Sequence, residues 1–220
     1  MEKFYKIFQK KFFPSKEPYP VADIHPLITI SREMGSGGKS TASLISLQLG
    51  KPWMIYDHEL IDKIAKNKDL EQKLIDSIDP KRLPLANIIM AKTFGKRFSR
   101  LSGYQRHLIK VMTLVGLKGY VIILGRGANF LFPHALNVRM TCQLDQRIIW
   151  QMTYEHISRL EAVKRIEESD KERKNFVESL FNHNHTKAHH YDLVIRTGSD
   201  ITIEDAADII ISLAKRKLKI

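Results

Sequence analysis

Residues 28–41, ITISREMGSGGKST, constrain the fold of this chain more than any other stretch. Ile28-Thr29-Ile30 is a β-branched run that reads as a buried strand. Gly35, Gly37 and Gly38 then permit a tight turn with exposed backbone N–H groups. Beyond Lys39, Leu44, Ile45, Leu47 and Leu49 recur at helical spacing. Strand, glycine turn and helix in that order make an anion cradle, because free N–H groups and the helix dipole point at the same place. The expected cradle is Gly35, Ser36, Gly37, Gly38, Lys39, Ser40 and Thr41. Lys39 supplies a cation for the outer phosphates of a bound group, and the Ser40 hydroxyl is within reach of a Mg²⁺ ion. Glu33 stands where the general pattern has a glycine, five positions before Gly38. Flanking strand, flanking helix and the Lys39-Ser40 register outweigh that departure.

The rest of the chain supplies more strands and helices in alternation. Trp53 to Tyr56 is a short strand ending at Asp57, and helical spacing follows through Leu60, Ile61, Ile64, Leu70, Leu74 and Ile75. Pro80 and Pro84 mark a turn. Leu85 to Leu117 is mostly helical, with breaks near Gly95 and Gly103. Tyr120 to Leu124 is an unbroken apolar run, the pattern of a strand covered on both faces. Asn137 to Gln143 is another strand, and a long polar helix begins at Ser158, with Glu161 completing the spacing of a capping box. Asp192 to Thr197 makes the last strand and Glu204 to Lys217 the last helix. Strands separated by helices imply right-handed crossovers and a parallel sheet with helices on both faces. The fold class expected is therefore three-layer α/β/α of the P-loop NTPase type, over residues 27–220. Residues 1–26 are set apart as an amphipathic helix and a proline-rich linker. Phe4, Ile7, Phe8 and Phe12 share one stripe there, suited to docking on this protein or on a second copy in a homodimer. A membrane surface is the lesser reading of that stripe, because the segment is short and not strongly cationic.

Charge points to a negative partner. The formal net charge is +12, and from Pro80 to Leu144 there is no Asp or Glu against eleven Lys and Arg residues. Such a field raises the local concentration of anions. Nucleotide phosphates, nucleic acid and an anionic membrane all answer that description, nucleic acid ranking last. The single cysteine, Cys142, lies in an alternating apolar run and reads as a core residue in a reducing compartment. With no run of membrane-span length and no signal-peptide pattern, a cytoplasmic protein is expected.

Three further constellations carry chemistry. Gly125-Arg126-Gly127 follows the strongest strand, and ligands in open parallel sheets bind beyond the carboxyl ends of strands. The Arg126 guanidinium there can take a phosphate with two parallel hydrogen bonds, or serve a structural ion pair. That strand does not end in the Asp that many P-loop enzymes use to position a metal. Arg165, Asp170 and Arg173, in RIEESDKER, read either as an exposed helix with ion pairs or as a lid whose arginines reach a transferring phosphoryl group. His183, His185, His189 and His190 read as a polar loop near such a lid, since no cysteine accompanies them and the spacing fits no structural zinc pattern.

With these motifs assembled, the chain resembles the cytidylate-kinase-like family of P-loop nucleoside monophosphate kinases. The resemblance runs over about residues 27–214 and rests on SREMGSGG, YDHELID, ILGRGANFLFP, RIEESDKER and YDLVIRTGSDITIEDAADII. It implies ATP- and Mg²⁺-dependent phosphoryl transfer to a nucleoside monophosphate. By position it implies that Gly35 to Thr41 bind donor phosphates, that Asp57 opens the acceptor segment, and that Arg126 contacts the acceptor. Arg165, Asp170 and Arg173 match the lid, with Asp170 counted on the substrate side. Lys39, Arg126, Arg165 and Arg173 are the residues expected to carry catalysis. Glu33 is typical of the family's loop. Where cytidylate kinases flank the acceptor arginine with acidic residues, this chain has Leu124, Gly125 and Gly127, so cytidine specificity is not implied. The alternatives are a kinase of another small anionic metabolite and a nucleotide-binding sensor without turnover.

Overall fold

The computed structural model describes residues 25–220. The amphipathic stripe of residues 1–13 and most of the proline linker lie outside the described residues. The elements are β1 (Leu27–Arg32), α1 (Gly38–Leu49), β2 (Met54–Tyr56), α2 (His58–Lys66), α3 (Lys68–Asp76), α4 (Leu85–Phe94) and α5 (Gly103–Lys118). They continue with β3 (Val121–Leu124), α6 (Ala128–Leu131), β4 (Leu136–Cys142), α7 (Leu144–Glu155), α8 (Arg159–Phe181), β5 (Leu193–Thr197) and α9 (Ile203–Leu218). The five strands form one parallel sheet in the order β2-β3-β1-β4-β5.

Alternation along the central strands divides the apolar residues between two cores, because successive side chains point to opposite faces. Leu27, Val121 and Ile123 pack with α2 to α5. Ile28, Ile30, Ile122 and Leu124 pack with α1 and α9. Both faces are therefore dry, which is why β3 reads as a continuous apolar run rather than a half-polar one. One polar pair crosses the sheet: the Thr29 hydroxyl donates to Asn137 Oδ1 at 2.6 Å. Cys142 is buried at the end of β4, where burial pushes its thiol pKa up.

Two local readings are corrected. The Ser158 side chain does accept from the Glu161 N–H at 3.2 Å, but no reciprocal bond closes the box, since the Glu161 carboxylate takes Arg165 at 2.6 Å. The sequence also gives no sign of α7. Its apolar Leu144, Ile149, Met152 and Tyr154 are exposed, and the residues it buries are Arg147 and Ile148. A helix held by a buried arginine presents no apolar stripe to read.

Candidate active site

The loop between β1 and α1 is built as a cradle. Gly37 sits at the N-cap of α1 with φ +76, and a Cβ there would come within 2.4 Å of Ile203 Cγ2. No side chain caps this helix and its first turn holds no acidic residue, so its positive end is open to a ligand. The Thr41 hydroxyl is buried without a hydrogen-bond partner among the described residues. Lys39 is extended, with Nζ 3.7 Å from Asp57 Oδ2. Asp57 also caps α2, accepting from the Leu60 N–H at 2.9 Å. Gly35, Gly37, Gly38, Lys39 and Ser40 form one wall of a cleft of about 770 Å³, and Trp150, Gln151 and Tyr154 of α7 form the opposite wall.

The first half of the loop is clamped by charges. Arg147 Nε donates to the Met34 carbonyl at 2.6 Å, and its Nη2 pairs with Asp170 Oδ2. The other Asp170 oxygen accepts from the Met34 N–H at 2.9 Å and from Arg173 Nη1 at 3.3 Å. Glu33, the residue out of pattern, accepts from the Cys142 N–H at 3.1 Å and pairs with Arg139 at 3.3 Å. The loop is thus tied to β4, α7 and α8 through Glu33 and the Met34 peptide. A buried arginine needs such a set of carboxylate and carbonyl partners to offset its desolvation.

A second, smaller cavity of about 110 Å³ lies beside the cleft, walled by Arg126 and Asn129 near the carboxyl end of β3 and by Arg173, Phe176 and Val177 of α8. Three guanidiniums face it, those of Arg32, Arg126 and Arg173. Arg126 adopts φ +58, donates to Asp62 Oδ2 at 2.6 Å and lies 4.7 Å over the Phe176 ring. Arg32 reaches the cavity across Gly125, where a Cβ would stand 2.0 Å from its Nη1, so only glycine lets the two strands' ends meet. Burial, then Arg173, bring the Arg32 pKa down to about 10. Four polar atoms around this cavity are buried and unpartnered: Arg126 Nε, Asn129 Nδ2, His58 Nδ1 and His185 Nδ1. Buried polar groups are normally satisfied, so four such atoms about one small volume, unpartnered among the described residues, make it suited to a polar ligand.

The sequence-predicted residues divide between these features. Gly35, Gly37, Gly38, Lys39, Ser40 and Asp57 line the large cleft, Arg126 the small cavity, and Arg173 both. Ser36 and Thr41 are buried behind the cradle, the Ser36 hydroxyl donating to the Glu33 carbonyl at 2.8 Å. Asp170 holds Met34, Arg147 and Arg173 rather than facing either cavity. Arg165 departs from the catalytic expectation: α8 is an unbroken helix, and Arg165 pairs with Glu161 at the exposed surface. Of the histidines, His185 lines the small cavity, while His183 stacks on Phe130 at 4.6 Å and His190 meets the same ring edge-on. Sequence reasoning missed Arg32, His58, Asn129 and Arg147. Arg32 and His58 had a signal, each standing beside a quoted motif position at a strand end; Arg147 had none.

For a nucleotide's metal, the Ser40 hydroxyl is the candidate protein ligand. Among the described residues no group of three or more His, Cys, Asp or Glu side chains is arranged to hold a metal.

A five-stranded parallel sheet between helical layers, with this loop after its central strand, is a P-loop kinase-like α/β fold. The chain belongs to the cytidylate kinase-like family, whose model matches residues 27–199. Among solved structures it is similar to an uncharacterized protein from Eubacterium ventriosum ATCC 27560, at 21% identity and TM-score 0.60, covering 87% of this chain and 99% of that one. It also matches TT1252 from Thermus thermophilus, at 18% identity, TM-score 0.42 and 86% and 98% coverage. Shikimate kinase from Bacteroides thetaiotaomicron matches at 11% identity, TM-score 0.44 and 89% and 99% coverage. No curated protein sequence matches the chain.

Proposed function

We propose that this protein transfers the γ-phosphoryl group of ATP to a small anionic acceptor. The observation that carries the reading is the adjacency of two cavities that share three side chains, Arg32, His58 and Arg173. The larger takes the donor, with its phosphates on the loop N–H groups and Lys39. The smaller takes the acceptor, on Arg126 and Asn129. Phosphoryl transfer asks little covalent chemistry of the protein; it asks for in-line positioning and neutralisation of charge spread over the moving group. Arg32 and Arg173 stand at the shared wall and supply that neutralisation. Ser40 would hold Mg²⁺ together with the nucleotide, and the ion would supply Lewis-acid charge stabilisation there.

The family resemblance favours a nucleoside monophosphate, which would meet the arginines through its phosphate. The volume of the second cavity favours a more compact anion, since pockets for drug-sized ligands run to about 300–1,000 Å³. A reducing, cytoplasmic setting suits either substrate, and the free Cys142 is compatible with it. The test is ADP formation from ATP and Mg²⁺ with CMP, UMP, AMP and small phosphorylated or carboxylated metabolites. Lys39→Ala is expected to keep the fold by circular dichroism and to lose about 10²–10³-fold in rate, the scale of one charge-stabilising donor. Full turnover in that variant removes the reading.

A further inference from the structure

We infer that the attacking atom of the acceptor is a hydroxyl oxygen on a compact anion, and that His58 takes its proton. This rests on the phosphoryl-transfer reading above and sharpens its acceptor. Among the described residues the donor cleft and the small cavity have three side chains in common, and two of them, Arg32 and Arg173, are guanidiniums that cannot accept a proton. His58 is the remaining one. It opens α2 directly after the Asp57 cap, and its Nδ1 is buried with no hydrogen-bond partner among the described residues. An imidazole bonded to a carboxylate or a carbonyl would be committed to orienting something; this one is not.

A base at that place discriminates between acceptors. The second ionisation of a phosphate monoester lies near pH 6, so a nucleoside monophosphate arrives already deprotonated and needs none. An alcohol must lose its proton as its oxygen bonds to phosphorus. The bond from the acceptor oxygen to the γ-phosphorus forms, and the bond from that phosphorus to the β–γ bridging oxygen breaks, its electron pair leaving on ADP. The acceptor's proton passes to the His58 imidazole and from there to solvent. The acceptor's own anionic group stays behind on Arg126 and on Asn129, which is buried with its Nδ2 unsatisfied.

The surroundings keep the imidazole neutral and ready. Burial lowers its pKa first, followed by Arg126 and Arg32, against the opposing pull of Glu59 and Asp57 on its own element. From α8, Glu172 and Arg173 also face the cavity, and His185 faces it from the segment after α8, its own pKa lowered by burial, but it does not reach the donor cleft. With the pKa below the ordinary value, the base form is present at neutral pH, and the rate falls only as pH drops through that lowered value.

The experiment is ³¹P NMR of ATP·Mg²⁺ with the full chain and two acceptor series. One series holds CMP, UMP and AMP; the other holds glycerate, malate, quinate and glycerol 3-phosphate. Lys39→Ala and His58→Gln run beside the wild type, and His58→Asn serves if the glutamine variant fails to fold. The expected result is a Lys39-dependent phosphomonoester from the hydroxyl series. His58→Gln should slow it about 10²-fold at pH 7 and flatten the acid limb of the pH–rate profile. Transfer confined to the nucleotides, giving only the diphosphate anhydride, overturns the inference and leaves the kinase reading standing. So does a histidine variant with the wild-type pH profile. If neither series gives Lys39-dependent ADP, the kinase reading itself falls, and this inference with it.

Discussion

Of the guanidiniums at the small cavity, Arg126 has Asp62 and Arg173 has Asp170, but Arg32 has no ion pair or hydrogen bond among the described residues. Asp57 offsets part of the repulsion from Arg173 and Arg126, but no carboxylate closes on this guanidinium among the described residues, which leaves it available to an anion. On the proposed reading, in which the loop N–H groups and Lys39 bind the nucleotide, Arg32→Ala is expected to lower kcat about 10²–10³-fold while changing the Kd for ATP·Mg²⁺ less than tenfold. Steady-state kinetics set against nucleotide titration would show the split. The residue was within reach of the sequence, since it stands one position before Glu33 in SREMGSGG, yet the glycines and Lys39 drew the attention. His58 hid in the same way behind Asp57. Asn129 could not be found at all, because an asparagine in a short helix carries no pattern and acquires meaning only when its amide is seen buried and unsatisfied.

Elements α7 and α8 act on the loop through one buried joint. Arg147 comes from the first, Asp170 from the second, and both close on the Met34 peptide. Asp170→Asn keeps the shape of the side chain but leaves the buried Arg147 charge with Glu33 alone, 3.7 Å away. Breaking a buried pair by removing one partner costs about 3–5 kcal/mol. For a domain of this size that is a fall in Tm of roughly 6–20 °C, measurable by calorimetry. The KM for ATP should rise with it, since the loop loses its backing. Arg147→Met, which removes the charge instead of stranding it, should cost less. This joint was not legible beforehand. The RIEESDKER motif reads either as an exposed helix with ion pairs or as a lid whose two arginines reach a phosphoryl group. In the structure α8 stays helical throughout, Arg165 follows the first reading by pairing with Glu161, and Arg173 meets the cavities.

At the scale of the whole molecule the sequence was most informative where burial imposes a period. The β1, β3, β4 and β5 runs and the α9 stripe are written in apolar residues because each has a dry layer against it. One consequence of that dry packing is a pH dependence centred on His134, beyond the end of α6. Burial, helped by Lys217, brings its pKa down to about 4, while the unfolded chain keeps the ordinary value near 6.5. The unfolded state therefore binds the extra proton first, and stability present above pH 6.5 is lost as pH falls toward 4. The amount is roughly 3 kcal/mol at full titration. Urea unfolding at pH 7 and pH 4.5 should show a larger drop for the wild type than for His134→Gln; equal drops would place the sensitivity elsewhere.

The cluster of arginines about the small cavity sets two kinds of selection against each other. Holding Arg32 charged against a pKa lowered to about 10 costs the fold on the order of 3 kcal/mol relative to a free arginine. A lineage screened only for thermal endurance would gain by replacing that side chain, and on the proposed reading would do so by stripping the acceptor cavity of a charge. Heat-stable variants found by random mutagenesis should accordingly concentrate at the residues that turnover can least spare.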